Sequence, residues 1–359
     1  MWASPTSDDT TLLGVSCGEA VALAEEAALE AAAMEGPAGP SIGPTGLVLT
    51  TVANGRSLWT FADAGLSVEV QASPGCGLGV FARHKIRAGE RVLCEAPLLL
   101  WHSPPTGHGA RYSTEVLISH VRRLGAEKQE KFYALAQNAR YGAEKTPSGI
   151  WRTNSLPLTE SIDGAASAAI FATVCRINHS CRPNAHHEWN AALGVMTVHA
   201  LGCIEVGSEL TLSYLARSGT VQVQRQSQLQ ERFGFTCTCA LCRLAGNELA
   251  TSDSRQRRIG DLGMRISASI SAQFGGIGAK AHCALVEEKL SLMLDEAMPT
   301  TWAMADLYSC AMACKQLGDM RGAYAWASRA AACALLGGGE DTSTYLALRG
   351  FLDARPDRV

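Results

Sequence analysis

A chain of 359 residues, 47% of them hydrophobic, has room for two or three packed units and a sizeable core. Its formal net charge of -3, with no block of like charges, gives no footprint for direct nucleic-acid binding. No apolar run reaches the roughly 18 to 20 residues of a membrane span, and no basic stretch followed by an apolar core opens the chain, so the expectation is an intracellular protein, cytoplasmic or nuclear or both, with no membrane partner.

Residues 1–66 combine an Ala/Glu-rich stretch, Cys17 to Glu35, with a Gly/Pro segment, EGPAGPSIGPTG, and read as a low-complexity, flexible region without assigned chemistry. The first basic residue is Arg56, which disfavours an Arg-rich organelle presequence. From Leu66 onward, short alternating apolar runs broken by Gly and Pro predict β-strands, with IRAG as a tight turn. Over residues 111–142 the spacing becomes helical, Val116, Leu117, Val121, Leu124, Phe132 and Leu135 recurring among charged residues, which predicts a helical insertion in a β-rich unit. Strand character returns after Ile170: HHEWN and VMTVHAL flank an AALG turn, and SELTLSYL follows. Beyond Asn247 the chain is rich in Ala, Leu and Met, and residues 302–336 read as two amphipathic helices hinged at LGDM. Ala311, Leu317, Gly318, Ala323 and Ala330 are small or apolar where helices of a tetratricopeptide-type unit pack closely, although an ordinary helix pair fits the same pattern. Packing or partner contact, rather than catalysis, suits this segment.

Thirteen cysteines is an odd number, and in a reducing interior clustered thiols are more often zinc ligands or packed small hydrophobes than disulfides. Three have metal-ligand spacing: Cys237, Cys239 and Cys242. A fourth thiolate would complete a tetrahedral structural site, and Cys181, in RINHSCRPNA at 176–185, can supply it. Other uses of that stretch are less specific. Ser180 lacks the G-x-S-x-G elbow of a hydrolase, and nothing selects a histidine partner for Cys181 as a protease nucleophile.

Four stretches, in this order, resemble those of the SET-domain protein lysine methyltransferases: GCGLGVFA at 75–82, RINHSCRPNA at 176–185, GSELTLSY at 207–214 and FGFTCTCALC at 233–242. The resemblance covers residues 67–100 and 170–242, about a third of the chain. The insertion and helical C-terminus look most like the branch that includes the SMYD proteins; the zinc-binding MYND module usually inserted there cannot be built from residues 101–169, which contain no cysteine. What the resemblance implies is an α+β protein with a β-rich SET fold containing a pseudoknot, over 67–217 with its helical insertion at about 101–165. A zinc-bound post-SET segment at 218–246 and an α-helical, TPR-like region at 247–359 would follow.

The resemblance also implies roles. Glycine at 75 and 77 permits close backbone approach to a ligand, and the loop's main chain near Gly77 and Leu78 would hold S-adenosylmethionine, with Asn178 and His179 at its amino-acid portion and Phe235 stacked on its adenine. Taken singly, these would be a Gly-rich turn, a packed core histidine and a core Phe. Asn184 resembles the family's structural Asn, buried where the chain threads under a loop, an exception to the usual unthreaded topology. Cys181, Cys237, Cys239 and Cys242 would bind a structural Zn2+ that ties the C-terminal segment over the active centre. Tyr214 would be the main catalytic side chain. Methyl transfer from a sulfonium to an amine is an in-line displacement that needs aligned reactants and a neutral lysine. A lysine pKa near 10.4 falls in an apolar channel beside a cationic sulfonium, and a Tyr hydroxyl with backbone carbonyls can orient both amine and polarised methyl. Phe233 departs from the family, whose members commonly carry a Tyr there lining the lysine channel, which bears on methylation degree and on activity.

Glu209 carries no catalytic assignment. His186 and His187 are adjacent in a strand and point to opposite faces, which disfavours a shared metal ion with Glu188. Trp189, Trp302 and Trp326 suit packing better than a methyl-lysine cage. Two readings follow: a protein lysine N-methyltransferase acting on a protein substrate, histone or other, and a catalytically weak SET-domain scaffold binding partners through its helical C-terminus.

Overall fold

Two glycines shape the first hairpin, because Gly75 and Gly77 adopt φ of +76° and +83°, where side chains with a Cβ are strained. In the computed structural model, which describes residues 47–51, 57–61, 67–102, 114–158, 167–215 and 219–355, this hairpin joins β3 (Val68–Ser73) to β4 (Gly77–Ala82). Before it, β1 (Leu47–Thr51) and β2 (Ser57–Phe61) pair antiparallel within the stretch read from sequence as flexible. The Ala-rich Cys17 to Glu35 lies outside the described residues.

After the hairpin come β5 (Arg91–Glu95) and β6 (Leu99–His102), then the helices α1 (Thr114–Arg123), α2 (Ala126–Ala134) and α3 (Pro147–Asn154). Leu117, Val121, Phe132 and Leu135 are buried there as their spacing predicts, whereas Val116 is exposed. The insertion is not helical throughout. β7 (Leu156–Leu158) and β8 (Ser167–Ile170) join β6 in a three-stranded sheet of order β6-β8-β7, and Trp101 and Ile170 of this sheet share a core with Ile150 and Trp151 of α3. A three-residue strand is too short to show alternation, so only tertiary pairing defines it. α3 is set locally: Pro147 opens it and the Thr146 hydroxyl accepts the Gly149 N–H at 3.0 Å.

The remaining strands position the site. β9 (Asn178–His179), β10 (Ala185–Asn190), β11 (Val195–Ala200) and β12 (Glu209–Leu212) form sheets of order β3-β4-β12-β9 and β10-β11-β5. The β10–β11 hairpin turns at the predicted AALG. The pairing of β9 with β12 is parallel, Thr211 opposite Asn178 and Leu212 opposite His179. Asn184 locks this arrangement: its amide donates to the Glu209 carbonyl at 2.9 Å and accepts the Thr211 N–H at 2.7 Å. A buried backbone group left unpaired costs about 1–3 kcal/mol, so this one side chain holds two strand positions.

Helices make up the rest. α4 (Gln222–Phe233) has no apolar period in QVQRQSQLQERF, Leu229 being its one fully buried apolar residue, and pattern reading passes over it. It ends at Gly234, φ +75°, whose N–H bonds back to the Leu229 and Gln230 carbonyls, a left-handed cap that returns the chain toward Tyr214. α5 (Gly246–Ser271), α6 (Ala279–Asp295), α7 (Met304–Gln316), α8 (Met320–Gly338) and α9 (Ser343–Asp353) share a separate core. Ala311, Ala323 and Ala330 are buried in it, while Leu317 is 69% exposed in the α7–α8 turn rather than packed. Trp302 and Trp326 pack on this core and Trp189 on that of the strands.

α8 rests on β10 and β11, and its final glycines make this possible: a Cβ on Gly338 would lie 2.2 Å from a Glu188 carboxylate oxygen. His186 also approaches α8, at Gly337, so His186 and Glu188 serve that packing. The Arg91 guanidinium, 3% exposed, pairs with Asp341 and donates through Nε to His199 Nε2 at 3.1 Å. Arg182 and Arg255 converge on Glu296, which is 1% exposed and also accepts the Ser252 hydroxyl at 2.6 Å.

Burial, reinforced by Arg91, pushes the His199 pKa down to about 3. The unfolded chain therefore takes up a proton near pH 6.5 that the folded protein refuses until far lower, and stability is lost as pH falls through that window. Urea midpoints should drop steadily from pH 7 to 4, and His199→Gln should remove about one proton from that slope.

Candidate active site

Segments 100 residues apart meet at Asn178, whose amide donates to the Leu78 carbonyl at 3.1 Å and to Glu209 Oε1 at 2.7 Å. Glu209 Oε2 accepts the Ser73 hydroxyl at 3.0 Å, so one carboxylate ties the second and third motif stretches to Ser73, two residues before the first. Close approach is required, since a Cβ on Gly79 would lie 2.2 Å from Glu209 Oε1 and 3.1 Å from the Asn178 amide nitrogen. Sequence reasoning left Glu209 without a role because nothing in ELTL distinguishes it from an exposed strand carboxylate; strand register alone reveals its partners. Gly75 and Gly77 stand at the open tip of the turn, where a Cβ would meet nothing within 4 Å, so the fold demands only their positive φ.

His179 is held at both nitrogens. The Tyr214 N–H donates to Nδ1 at 3.0 Å, and Nε2 faces the Cys181 sulfur at 3.3 Å. Burial lowers its pKa to about 4, so the ring is neutral at pH 7. With its side chain committed, the ring links the strand to the thiols. The Tyr214 hydroxyl donates to the Ile177 carbonyl at 2.7 Å, and burial pushes its pKa well above the ordinary phenol range. The phenol is therefore a neutral hydrogen-bonding group whose oxygen lone pairs are free to accept. Around it stand Phe233, His179 and Phe235, with ring centroids 5.0, 5.3 and 6.4 Å away.

Behind these rings the Cys181, Cys237, Cys239 and Cys242 sulfurs all lie within 4.8 Å of one another, Cys239 half-buried and the rest buried. Zinc–sulfur bonds of about 2.3 Å in a tetrahedron separate sulfurs by about 3.8 Å, and Cys181 to Cys242 is 3.5 Å. Both the spacing and the all-thiol donor set fit a structural zinc ion. Hydrogen bonds from Cys181, Cys237 and Cys242 push Cys239 far below the usual thiol pKa, so the cluster already favours a thiolate. The polar face of α4 supports it from outside: Gln226 brackets the Cys237 backbone at 2.7 and 2.9 Å, and Gln222 donates to the Cys242 carbonyl at 2.8 Å. These glutamines carry no sequence signal apart from the polarity of a helix that packs.

Residues 77–215, which carry these strands and the site they gather, match the SET domain family. Among its relatives, the "Histone-lysine N-methyltransferase set5" of Schizosaccharomyces pombe is 33% identical over 189 residues, 52% of this chain and 54% of the relative. The "Histone-lysine N-methyltransferase ASHR1" of Arabidopsis thaliana is 32% identical over 138 residues, 36% of this chain and 28% of the relative. The "Protein-lysine N-methyltransferase SMYD4" of Mus musculus is 32% identical over 91 residues, 25% of this chain and 11% of the relative. The match thus spans about half or less of each of these relatives' length.

Elemental analysis of protein purified under reducing conditions should find one tightly held zinc per chain, and Cys181→Ser should weaken retention by at least tenfold against a chelator. Undiminished retention in that variant would remove Cys181 from the ligand set.

Proposed function

We propose that this protein is an S-adenosylmethionine-dependent protein lysine N-methyltransferase. The observation that carries the reading is the meeting of Leu78, Asn178 and Glu209 beside a buried, neutral Tyr214 with an aromatic surround. The presence of a SET domain and of relatives named lysine N-methyltransferases supports it. A protein lysine, histone or other, is the proposed acceptor.

When bound, S-adenosylmethionine supplies an electrophilic methyl group on a sulfonium. In this reading the open backbone at Gly75, Gly77 and Leu78 borders its site, Asn178 and the His179 main chain meet its amino-acid portion, and Phe235 offers its ring to the adenine. Glu209 keeps the Asn178 amide aimed by holding one of its protons. Tyr214, its own proton occupied by Ile177, accepts from the incoming amine or from the polarised methyl C–H. The rings of Phe233 and Tyr214 exclude water, and this desolvation favours the neutral amine. Phe233 brings no hydroxyl to that wall, so a methylated amine meets less polar opposition there, which favours repeated transfer.

The same reading assigns zinc to the four thiols, where it fastens the segment carrying Phe233 and Phe235 against the strands. The parallel pairing of β9 with β12 and the Asn184 clamp are what a threaded, pseudoknot arrangement requires. In this partition, residues 67–217 form the SET domain with its insertion, 218–246 the post-SET segment and 247–359 a TPR-like region for packing and partner contact, with the protein acting in cytoplasm or nucleus.

Calorimetry should detect S-adenosylmethionine binding to zinc-loaded protein, and its absence would leave the scaffold reading in its place. Tyr214→Phe should keep cofactor and zinc while losing methyl transfer by about a hundredfold or more; an unimpaired rate sinks the role given to Tyr214. Because burial raises the Tyr214 pKa, the rate should climb between pH 7 and 10 with deprotonation of the acceptor amine, without a falling limb from the phenol.

A further inference from the structure

Where the insertion meets α4, a groove of about 710 Å³ is lined by Arg140, Tyr141, Arg152, Glu231, Arg232 and Phe233. Two contacts join its walls: the Asn138 amide donates to the Phe233 carbonyl and the Arg140 guanidinium to the Glu231 carbonyl. Arg140 and Arg152 lie against the Tyr141 ring, 5.5 and 5.7 Å from its centroid, which holds both guanidinium groups at the groove. Phe233 belongs to this lining, and its ring sits 5.0 Å from the Tyr214 ring, so the groove adjoins a residue that walls the proposed methyl-transfer site.

Its charge is one-sided. Among the described residues none of Arg140, Arg152 and Arg232 forms an ion pair, and the one carboxylate in the lining, Glu231, accepts the Ser227 hydroxyl at 2.7 Å. In a chain of net charge -3, this is a local excess of cations. Planar guanidinium forks match carboxylates in particular, with two parallel N–H donors to two oxygens. At physiological salt such charges act over about 8 Å, which is two to three residues of extended peptide.

We propose that this groove binds an acidic stretch flanking the target lysine, so that the preferred substrates are lysines among Asp and Glu rather than lysines within Lys- and Arg-rich tails. The proposal rests on reading Tyr214 and Phe233 as walls of the amine's channel. Phe233 and Tyr141 supply apolar contact for the peptide backbone, and the arginines select its charge.

The test is fluorescence anisotropy on the full chain, with a labelled lysine peptide flanked by aspartates beside the same peptide flanked by arginines. The aspartate peptide should bind at least tenfold tighter at low salt, with the advantage shrinking severalfold at 0.5 M salt. Arg152→Glu combined with Arg232→Glu should abolish or invert the preference while S-adenosylmethionine affinity stays unchanged. Arg152→Gln with Arg232→Gln should fall between, a graded response that misfolding would not produce. Equal affinity for the two peptides overturns the proposal, as does a preference that survives charge reversal. Tighter binding of a labelled single-stranded oligonucleotide, lost in the same double variant, would make this a nucleic-acid surface instead. Binding needs no methyl transfer: a protein that prefers the aspartate peptide but never methylates it overturns the enzymatic reading alone.

Discussion

Everything at this site depends on two residues pairing with two others, Asn178 and His179 with Thr211 and Leu212, in parallel. Parallel strands cannot be joined by a tight turn, so the chain between them must travel out and return. On that excursion it makes the β10–β11 hairpin, and Asn184 then fastens its start to the backbone of β12. The consequence is chemical. The side chain of Asn178 reaches Glu209 and Leu78, the ring of His179 reaches both Tyr214 and Cys181, and a short run of main-chain bonds thereby connects the Asn178 amide to a thiol cluster.

Two devices hold the aromatic enclosure in place from opposite sides. One is the thiol cluster, which draws residues 237–242 against Cys181 and is braced by glutamines on α4. The other is the insertion, whose Asn138 and Arg140 seize the last carbonyls of the same helix. Between them Phe233 and Phe235 are fixed relative to Tyr214, so a peptide entering beside α4 would meet a prearranged wall. Prearrangement would serve the proposed in-line displacement, whose rate depends chiefly on alignment. The helical C-terminus bears on this more remotely, through Glu296 to Arg182, the residue after Cys181, and through Asp341 to Arg91 on β5.

Glu209 and the arginines of the groove show two ways in which a carboxylate or cation acquires a purpose that its neighbours in sequence do not disclose. Glu209 sits in a strand whose alternation would suit an exposed acid, yet it receives hydrogen bonds from Ser73 and Asn178 and needs a glycine at 79 to make room. Arg140, Arg152 and Arg232 are widely spaced and unremarkable singly; only the closure of the insertion on α4 puts them around one volume.

Much was nevertheless legible in the amino-acid order. The β10–β11 hairpin, the helical faces of Leu117, Val121, Phe132 and Leu135, and the helix pair around LGDM follow from periodicity and turn chemistry, which are local properties. Cysteine spacing and the motif stretches marked the residues that converge, because metal ligation and close backbone approach demand particular residue types. Local reading passed over α4, whose few apolar residues leave no period, and β7, too short to alternate; it also packed Leu317, which the left-handed turn at Gly318 leaves in solvent. The partners of Glu209, the support of the thiols by Gln222 and Gln226, and the cationic groove were decided by tertiary structure alone, since each is a relation between surfaces far apart along the chain.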